Sequence, residues 1–360
     1  MANTNKIKVS IIGGAGYGAS ELLRHLVVRD DVELLCVASK DHVGKPLGDV
    51  HRTLSGYTDL KLVDVPPAEA AKGADVVFLG MPHKITARVA MELFALPVKI
   101  IDLSGDFRLR DIKDYDRDYA PGHPCPERLG TFVYGLPELF REQIKTAKHV
   151  ASPGCFATCI ATGLIPLAKR GLLKNTNVRT VAMTGSSGSG QAPQEGTHHP
   201  VRAVNLKPYK VLAHQHRSEI VQTLSDAGAS SLALDMVPVS APLSRGILAI
   251  SQLDLPQTAG GAAQTRESLH AIYSEVYAGE RLLRVMPLGQ VPEVAAVAGT
   301  ARIEIGIETR EDVATGRKTL CVITAIDNLI KGGAGQAIQS FNLMVGVEET
   351  KGLDLPGLWP

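Results

Sequence analysis

The chain has 360 residues, of which 44% are hydrophobic and 21% charged, and its formal net charge is +1. This length is enough for two domains with substantial cores, and the near-neutral charge does not indicate nucleic acid or a membrane surface as a partner. The first 20 residues lack a signal-peptide pattern and no stretch has the roughly 18 apolar residues of a membrane span, so we expect a cytoplasmic protein.

The N-terminal segment has the pattern of a strand, a glycine turn and a helix. The β-rich run Ile7–Ile12 stops at Gly13, which opens the spacing G-x-x-G-x-x-A. Gly13 allows a tight turn, Gly16 lets the backbone approach a pyrophosphate, and the small Ala19 lets the helix pack close to the strand. A second run, Val32–Ala38, follows at the spacing of a βαβ unit. The pattern predicts a nucleotide-binding site.

The residues after the second run indicate which dinucleotide is bound. An NAD site usually has Asp or Glu about 20 residues beyond the glycines, where the carboxylate binds the ribose 2′-hydroxyl. This chain has Ser39 and Lys40 there, followed by Asp41. Because a hydroxyl and a cation suit a 2′-phosphate, we predict NADP rather than NAD.

Two more apolar runs, residues 74–80 and 98–104, are predicted strands on either side of a helix over residues 84–95. The repeated strand-helix-strand order predicts an α/β fold, a doubly wound Rossmann-type parallel sheet, over residues 1–154. Ligands bind such sheets at the carboxyl ends of the strands. Pro82, in a loop at one such end, is therefore a candidate cofactor contact, although a plain strand-to-helix turn explains this loop equally simply.

Cys155 follows Pro153 and Gly154 at the start of a predicted apolar helix. A helix N-terminus favours thiolate over thiol, which makes Cys155 a candidate nucleophile. The alternative is that it is a small buried hydrophobic residue.

The five cysteines are odd in number and widely scattered, which does not predict a disulfide framework and fits a reducing compartment. Cys155 and Cys159 lie four residues apart and suggest a zinc site together with downstream histidines. The usual Cys-x-x-Cys spacing is absent, so we predict no metal.

From residue 155 onwards the apolar pattern changes to longer alternating segments, such as residues 248–253 and 301–307. Alternation predicts a sheet with one solvated or partner-covered face. We therefore predict a second, α+β domain over residues 155–330, with a loop near residues 258–261. Residues 331–360 are predicted to form a C-terminal helix that returns to the first domain.

Two groups of residues in the second half could assist a thiol nucleophile. His214 and His216 would point the same way in an extended chain, and Glu219 could orient one of them as an acid or base, unless the pair is simply on the surface. The glycine- and serine-rich residues 184–190 could present backbone N–H groups to an anion or could be a flexible linker.

Two arginines are candidate anion-binding residues. Arg108 and Arg245 each follow a polar turn, and a guanidinium group matches carboxylate or phosphate in two hydrogen bonds. Either could instead belong to a structural ion pair.

These motifs, taken in order, resemble the N-acetyl-γ-glutamyl-phosphate reductase family of arginine biosynthesis over essentially the whole chain. The matching segments are residues 13–22, Asp-Leu-Ser-Gly-Asp-Phe-Arg-Leu at 102–109, Tyr-Gly-Leu-Pro-Glu at 134–138, Pro-Gly-Cys at 153–155, His-Gln-His at 214–216, Pro-Val-Ser at 238–240, Ser-Arg-Gly at 244–246 and residues 327–337. The family has His-Arg-His where this chain has His-Gln-His.

The resemblance implies a mechanism and a set of roles. Cys155 would attack an acyl phosphate and form a thioester, which NADPH reduces to an aldehyde after phosphate has left. His216 would be the acid/base, with Glu219 orienting it and His214 nearby. The expected cofactor contacts are Gly13, Gly16, Tyr17, Gly18, Ala19, Ser39, Lys40, Pro82, Ser187, Gly188 and Asn328. The expected substrate contacts are Arg108, Ser186 and Arg245.

The resemblance leaves two alternatives open. Residues 189–209 and the C-terminal nine residues are similar to a sister branch that reduces aminoadipyl phosphate held on a small acidic carrier protein in lysine biosynthesis. A regulator that senses NADP without catalysis is a further alternative. The family also suggests a homo-oligomer, either a dimer or a tetramer.

Overall fold

The structure is a computed structural model that describes residues 6–255 and 264–357. These residues form two compact units: unit 1 lies within residues 1–153 and 333–353, and unit 2 within residues 154–332 and 354–360. The predicted loop at residues 258–261 falls outside the described residues.

Unit 1 contains a six-stranded sheet in which every hydrogen-bonded pair of strands is parallel. The strands are β1 (Ile7–Ile12), β2 (Val32–Ala38), β3 (Val76–Leu79), β4 (Lys99–Asp102), β5 (Val133–Tyr134) and β6 (His149–Ala151). Their order is β2-β1-β3-β4-β6-β5, in which the first strand is second from one edge of the sheet. All four residues of β3 are buried, as expected for a parallel strand covered on both faces.

Helices connect these strands. In chain order they are α1 (Tyr17–Leu26), α2 (Leu47–Val50), α3 (Pro67–Ala70), α4 (Ile85–Leu93), α5 (Ile112–Asp118) and α6 (Pro137–Thr146). The predicted strands at residues 7–12 and 32–38 are confirmed, and those at 74–80 and 98–104 are confirmed with shorter bounds. The helix predicted over residues 84–95 is α4.

Unit 2 contains a mixed seven-stranded sheet, which confirms a second α+β domain. The strands are β7 (Asn177–Thr184), β8 (Lys207–Pro208), β9 (Ala233–Ser240), β10 (Ile247–Asp254), β11 (Leu283–Val285), β12 (Ile303–Glu311) and β13 (Lys318–Ile326). Their order is β11-β12-β13-β10-β7-β9-β8.

The helices of unit 2 are α7 (Cys155–Lys169), α8 (His199–Arg202), α9 (His216–Asp226), α10 (Arg266–Val276) and α11 (Val294–Val297). Every residue of α7 from Phe156 to Ala168 is buried, because this helix is apolar on all sides and packs against β10, β13, α9 and α10. The packing is close at Gly163, where a Cβ atom would lie 2.4 Å from the Thr324 hydroxyl.

The last helix, α12 (Gly335–Val345), packs against α6 and α1 in unit 1. Phe341 contacts Phe78 of the sheet with ring centroids 5.7 Å apart, and the Asn342 amide oxygen accepts a 2.6 Å hydrogen bond from Arg29. This helix therefore forms part of the core of unit 1.

The prediction that β12 has one solvated or partner-covered face is wrong. Its first five residues are all buried, whereas β10 alternates between buried and partly exposed residues. Gly306 shows the cause, because a Cβ atom there would lie 2.8 Å from Pro292 and 3.1 Å from the Gln290 carbonyl. The segment before α11 thus covers a face of β12 that the sequence pattern left open.

Among the described residues, no helix is long and apolar enough to cross a membrane.

We predict that His149 makes the stability of the protein depend on pH. Its ring packs against Phe94 and Phe132, and burial lowers its pKa to about 4. The folded protein therefore binds this proton less readily than the unfolded chain, so stability is lost as pH falls from about 6.5 towards 4.

The test is the free energy of unfolding of wild type and His149→Phe between pH 4 and 7.5. We expect the advantage of the wild type over the variant to grow as pH rises through this window, with a slope approaching one proton. The test uses the difference in unfolding free energy between the two proteins. Burial raises the pKa of Asp102 to about 7, and this carboxyl group changes the stability of both proteins with pH in the opposite direction. A difference that does not change with pH would contradict the prediction.

Candidate active site

Cys155 is the first residue of α7, and Gly154 is the N-cap in an extended conformation without a side-chain cap. Cys155 is partly exposed, whereas the next thirteen residues are buried. The unsatisfied N–H groups and the positive end of the helix dipole favour an anion at this position. The predicted start of the helix is confirmed.

The imidazole of His216 lies directly against Gly154. A Cβ atom at position 154 would be 2.4 Å from His216 Nε2 and 2.5 Å from Cε1, closer than any real contact. Gly154 has φ −68°, so the glycine is not needed for its backbone conformation. It is needed because a side chain would displace the ring from the turn that carries Cys155.

Glu219, which is fully buried, contacts the same turn. Its Oε2 accepts a 2.9 Å hydrogen bond from the Gly154 N–H. Its Oε1 is 3.8 Å from His216 Nε2, which is an ion-pair distance rather than a hydrogen bond. The carboxylate therefore connects the Gly154 backbone to the imidazole, one turn away along α9.

His214 has a different environment from His216. It is 5% exposed, its ring centroid is 4.7 Å from that of His216, and it also contacts Phe156 and Tyr209. Burial, aided by the positive charges of His216 and Lys210, lowers its pKa to about 3. A neutral His214 agrees with its Nδ1 accepting a 3.2 Å hydrogen bond from the His216 N–H.

The two histidines do not lie in an extended segment. His216 is the first residue of α9, and Gln215 already has helical backbone angles. The two rings meet because His214 accepts the first N–H of the helix.

Gly332 also packs against Cys155, and it is a site residue that the sequence did not predict. A Cβ atom at Gly332 would lie 2.7 Å from the Cys155 Cβ. Gly332 belongs to the π-helical segment Ile330–Ala334, in which Lys331 is fully buried. The consecutive glycines after Lys331 were the signal in the sequence that a close backbone approach was needed.

The other four cysteines are poor nucleophiles. Burial raises the pKa of Cys125 to about 11 and also raises the pKa of Cys36, Cys159 and Cys321. All five cysteines lie in the described part of the chain and none forms a disulfide.

A second group of predicted residues forms one hydrogen-bonded cluster in unit 2. Asn328 accepts the Gly246 N–H at 2.7 Å, and its amide nitrogen donates to Ser187 Oγ at 3.1 Å. Gly188 lies beside it, since a Cβ atom there would be 3.6 Å from the Asn328 amide nitrogen. The structure therefore brings Ser187, Gly188 and Asn328 together.

The expectation that residues 184–190 present backbone N–H groups to an anion is not met for three of them. The N–H groups of Gly185, Ser186 and Ser187 donate to the carbonyls of Gly246, Leu243 and Ser244. The residues Ser186–Ser189 form a 3-10 helix rather than a flexible linker.

Arg245 lies at the edge of this cluster. Its Nη1 is 3.4 Å from Oδ2 of the fully buried Asp327, and its side chain is one-third exposed. The same Asp327 oxygen also accepts the Gly299 N–H. An ion pair therefore fixes Arg245, whose side chain stays partly exposed.

The glycine turn of unit 1 fits a dinucleotide. Gly13 has φ +97°, and a Cβ atom there would be 2.7 Å from the Gly80 backbone. Gly16 is the N-cap of α1 without a side-chain cap, and its Cα faces open space. Tyr17 and Gly18 are the first two residues of this helix, and Ala19, the third, is buried. Uncapped N–H groups beside open space are suited to a pyrophosphate.

Ser39, Lys40 and Pro82 follow the carboxyl ends of β2 and β3. Ser39 Oγ accepts the Asp41 N–H, Lys40 and Pro82 are exposed, and the Gly80 backbone meets Gly13. These residues therefore lie at the edge of the sheet that carries the glycine turn.

Arg108 uses its donors on neighbouring backbone atoms. Its Nε donates to the Ser152 carbonyl at 2.7 Å, Nη2 donates to the Leu103 carbonyl at 2.8 Å, and Nη1 is 3.4 Å from the Tyr119 hydroxyl. It is 8% exposed. This geometry supports a structural role more than the predicted anion-binding role.

Comparison with known proteins identifies the relatives of this chain. Residues 8–147 match the family model of the semialdehyde dehydrogenase NAD binding domain, and residues 155–328 match that of the semialdehyde dehydrogenase dimerisation domain. An N-acetyl-gamma-glutamyl-phosphate reductase of Pelotomaculum thermopropionicum is 37% identical over 98% of this chain and 99% of its own length. The one from Marinobacter nauticus is 36% identical over 98% of this chain and all of its own length.

The chain belongs to the N-acetyl-γ-glutamyl-phosphate reductase family.

A relative from Thermomicrobium roseum is equally similar. It is 39% identical over 98% of this chain and 99% of its own length, and it is named provisionally as a LysW-L-2-aminoadipate 6-phosphate reductase. The predicted family and its sister branch are thus both confirmed as relatives, and the protein is an oxidoreductase of the semialdehyde dehydrogenase group.

Solved structures confirm the predicted fold class. Aspartate semialdehyde dehydrogenase II of Vibrio cholerae, complexed with ASA, has a TM-score of 0.69 and 18% identity, and the match covers 95% of this chain and 98% of that one. Aspartate semialdehyde dehydrogenase with NADP from Candida albicans has a TM-score of 0.68 and 14% identity, covering 94% of this chain and 98% of that one.

We predict that Gly154→Ala lowers turnover by about 100-fold while the protein still folds. The backbone angles of Gly154 suit alanine, but the added methyl group would push the His216 ring away, and a displaced acid/base typically costs at least this factor. The measurements are steady-state turnover and circular dichroism.

Gly196→Ala is the matched control, because a Cβ atom at Gly196 meets nothing within 4 Å. It should leave turnover within about twofold. Normal activity of Gly154→Ala would show that contact between His216 and this turn is dispensable.

Proposed function

We propose that the protein catalyses the NADPH-dependent reduction of N-acetyl-γ-glutamyl phosphate to N-acetylglutamate semialdehyde with release of phosphate, through a thioester at Cys155. The names and the 36–37% identity of its relatives support this reaction. The observation that carries it is the packing of His216 on Gly154, one residue before a thiol at a helix N-terminus.

In the first half-reaction Cys155 and His216 act together. The Cys155 proton passes to His216, Sγ bonds to the acyl carbon, and the bond from that carbon to the phosphate oxygen breaks. The proton on His216 goes to the departing phosphate. We assign the transfer to His216 rather than His214, because His214 Nδ1 already accepts the His216 N–H and burial lowers the pKa of His214.

NADPH, when bound, supplies the hydride that reduces the acyl carbon of the thioester. The C–S bond then breaks, the aldehyde leaves and Cys155 returns as thiolate, which the helix N-terminus stabilises. One proton is taken up from solvent to restore the thiol. Glu219 keeps the turn and the imidazole in place throughout, because it bonds the Gly154 N–H and faces His216.

The cofactor is proposed to bind unit 1 through its glycine turn. Gly13, Gly16, Tyr17, Gly18 and Ala19 would hold the pyrophosphate at the start of α1. Ser39 and Lys40 would bind the 2′-phosphate and Pro82 would cover the ring system. For Ser187, Gly188 and Asn328 we propose a nicotinamide contact, which the family resemblance implies; the three residues lie together in one cluster.

The substrate is proposed to contact Ser186 and Arg245. The Arg245 side chain is one-third exposed and pairs with Asp327. For Arg108 we propose that it positions the backbone at Ser152 rather than binding substrate, because its donors are engaged there.

A second candidate reaction is the reduction of aminoadipyl phosphate linked to a small acidic carrier protein. The relative from Thermomicrobium roseum, at 39% identity, favours it as much as the other relatives favour the first. Phosphate-dependent NADP+ reduction with N-acetylglutamate semialdehyde, beside the carrier-linked aminoadipate semialdehyde, distinguishes the two.

For the domain roles we propose nucleotide binding in residues 1–154, catalysis and dimerisation in residues 155–330, and a C-terminal helix in residues 331–360 that completes the first domain. The cytoplasm remains the proposed compartment, where thiols that form no disulfide persist.

We predict that Cys155→Ser keeps NADP binding but loses reduction by at least about 10³-fold, because a serine hydroxyl without further activation is a poor nucleophile. Intact-mass analysis of wild type mixed with acyl phosphate, without NADPH, should show one acyl group per chain, absent from the variant. Cys159→Ser is the matched control on the same helix and should retain the adduct. A wild type that forms product but never gains the acyl mass would exclude the thioester.

The match to a dimerisation domain supports an oligomer, and we propose that the open face of the unit 2 sheet forms its interface. An apolar row crosses four adjacent strands there, in which Val237 lies beside Val181, Val181 beside Ile250, and Ile250 beside Ile323. Val181 is 44% exposed, which is unusual for a valine in the middle of a sheet.

We predict that Val181→Glu dissociates this oligomer, because it would bury an unpaired charge in the interface, at a cost of about 3–5 kcal/mol. Light scattering after size exclusion measures the mass. Val28→Glu, at another exposed valine (63% exposed) in unit 1, is the control and should not change it. An unchanged mass for Val181→Glu would place the interface elsewhere.

A further inference from the structure

Arg202, at the end of α8, has a half-buried side chain with few partners. Its Nη2 donates to the Thr184 carbonyl at 3.0 Å, which is the one hydrogen bond this side chain makes within residues 6–255 and 264–357. Its Nε is buried and has no hydrogen-bond partner among those residues. A buried donor on a cation costs free energy until an acceptor meets it.

The charge of Arg202 is also unbalanced. No carboxylate of the described residues forms an ion pair with it, whereas Arg245 pairs with Asp327. Burial lowers the pKa of the Arg202 guanidinium group, and the nearby Tyr209 opposes this effect. An anionic ligand at the terminal nitrogens would supply the missing negative charge.

Arg202 belongs to the surroundings of the catalytic thiol. The pKa of Tyr209 is raised by burial and by the negative charge of Cys155, and it is lowered by Arg202, so this phenol lies within electrostatic range of both groups. The ring centroids of Tyr209 and His214 are 5.9 Å apart, and those of His214 and His216 are 4.7 Å apart.

The hydrogen bond of Arg202 to the backbone also places it near a proposed substrate contact. Thr184, which accepts the Arg202 hydrogen bond, is the last residue of β7 and directly precedes Gly185 and Ser186. Ser186 is one of the proposed substrate contacts.

We propose that Arg202 binds the carboxylate that both candidate substrates carry beside their blocked amino group. This inference rests on the proposed function, since it concerns the same acyl phosphate. The hydrogens of Nη1 and the Nη2 hydrogen that Thr184 does not use are left for the carboxylate oxygens, while the bond to Thr184 holds the guanidinium group in position. Arg202 thereby becomes a specificity-determining residue for N-blocked amino acids with a carboxylate.

The test compares two substrates on the same preparation: N-acetylglutamate semialdehyde and its analogue with the α-carboxylate replaced by a carboxamide. Phosphate-dependent NADP+ reduction gives kcat/KM for each. We expect wild type to favour the acid by about 10- to 100-fold, as for a hydrogen-bonded charge pair, and Arg202→Gln to lose this preference. The loss should appear mainly in KM for the acid.

Arg302→Gln is the matched control. Arg302 also has a buried Nε without a partner among the described residues, and its Nη2 is held by Asp354. It should keep the preference for the acid. Arg202→Lys, which retains the charge but not the planar group, should show an intermediate preference.

Because the preference is a ratio measured on one preparation, partial unfolding of a variant does not alter it. Arg202→Gln with an undiminished preference for the acid would overturn the inference, as would a wild type that turns over both compounds equally. A wild type that turns over neither these compounds nor their carrier-linked aminoadipate equivalents would refute the proposed function, and the role of Arg202 with it.

Discussion

The chemistry proposed for this protein depends on the packing of an imidazole on a bare Cα atom. Gly154 has no side chain, so the His216 ring lies where a Cβ atom would otherwise be. The Glu219 carboxylate also fixes Gly154, because it accepts the Gly154 N–H. The thiol that follows is at the start of a helix whose next thirteen residues are buried. Because a fully buried helix cannot easily shift, the thiol position is set by the core of unit 2 rather than by a mobile loop.

The fold could be read from the sequence where local pattern and tertiary environment agree. The strands Ile7–Ile12 and Val32–Ala38 have the predicted bounds, since both are short apolar runs ended by turns or polar residues. The prediction for β12 was wrong because residues 290–292, from a segment outside the strand, cover it. No periodicity within a strand can show what another segment will place on top of it.

The candidate site shows the same division. Residue types identified Cys155, His214 and His216 as a group, but not their geometry, because the helix start at His216 depends on His214 accepting its N–H. Gly332 and Arg202 were missed for different reasons. The contact between Gly332 and Cys155 joins residues 177 positions apart in the sequence. The importance of Arg202 lies in the partners it lacks, which only a folded structure can reveal.

The contrast among the five thiols has a practical consequence. Burial raises the pKa of four of them and so disfavours their thiolate forms, although Cys36 and Cys321 are partly exposed. The fifth, Cys155, is also partly exposed and lies at the start of an α-helix, which favours a thiolate. A mild alkylating reagent therefore has one preferred target per folded chain. Stoichiometric labelling would count functional molecules in a preparation, and a fluorescent or heavy-atom tag could be attached there without rebuilding the molecule.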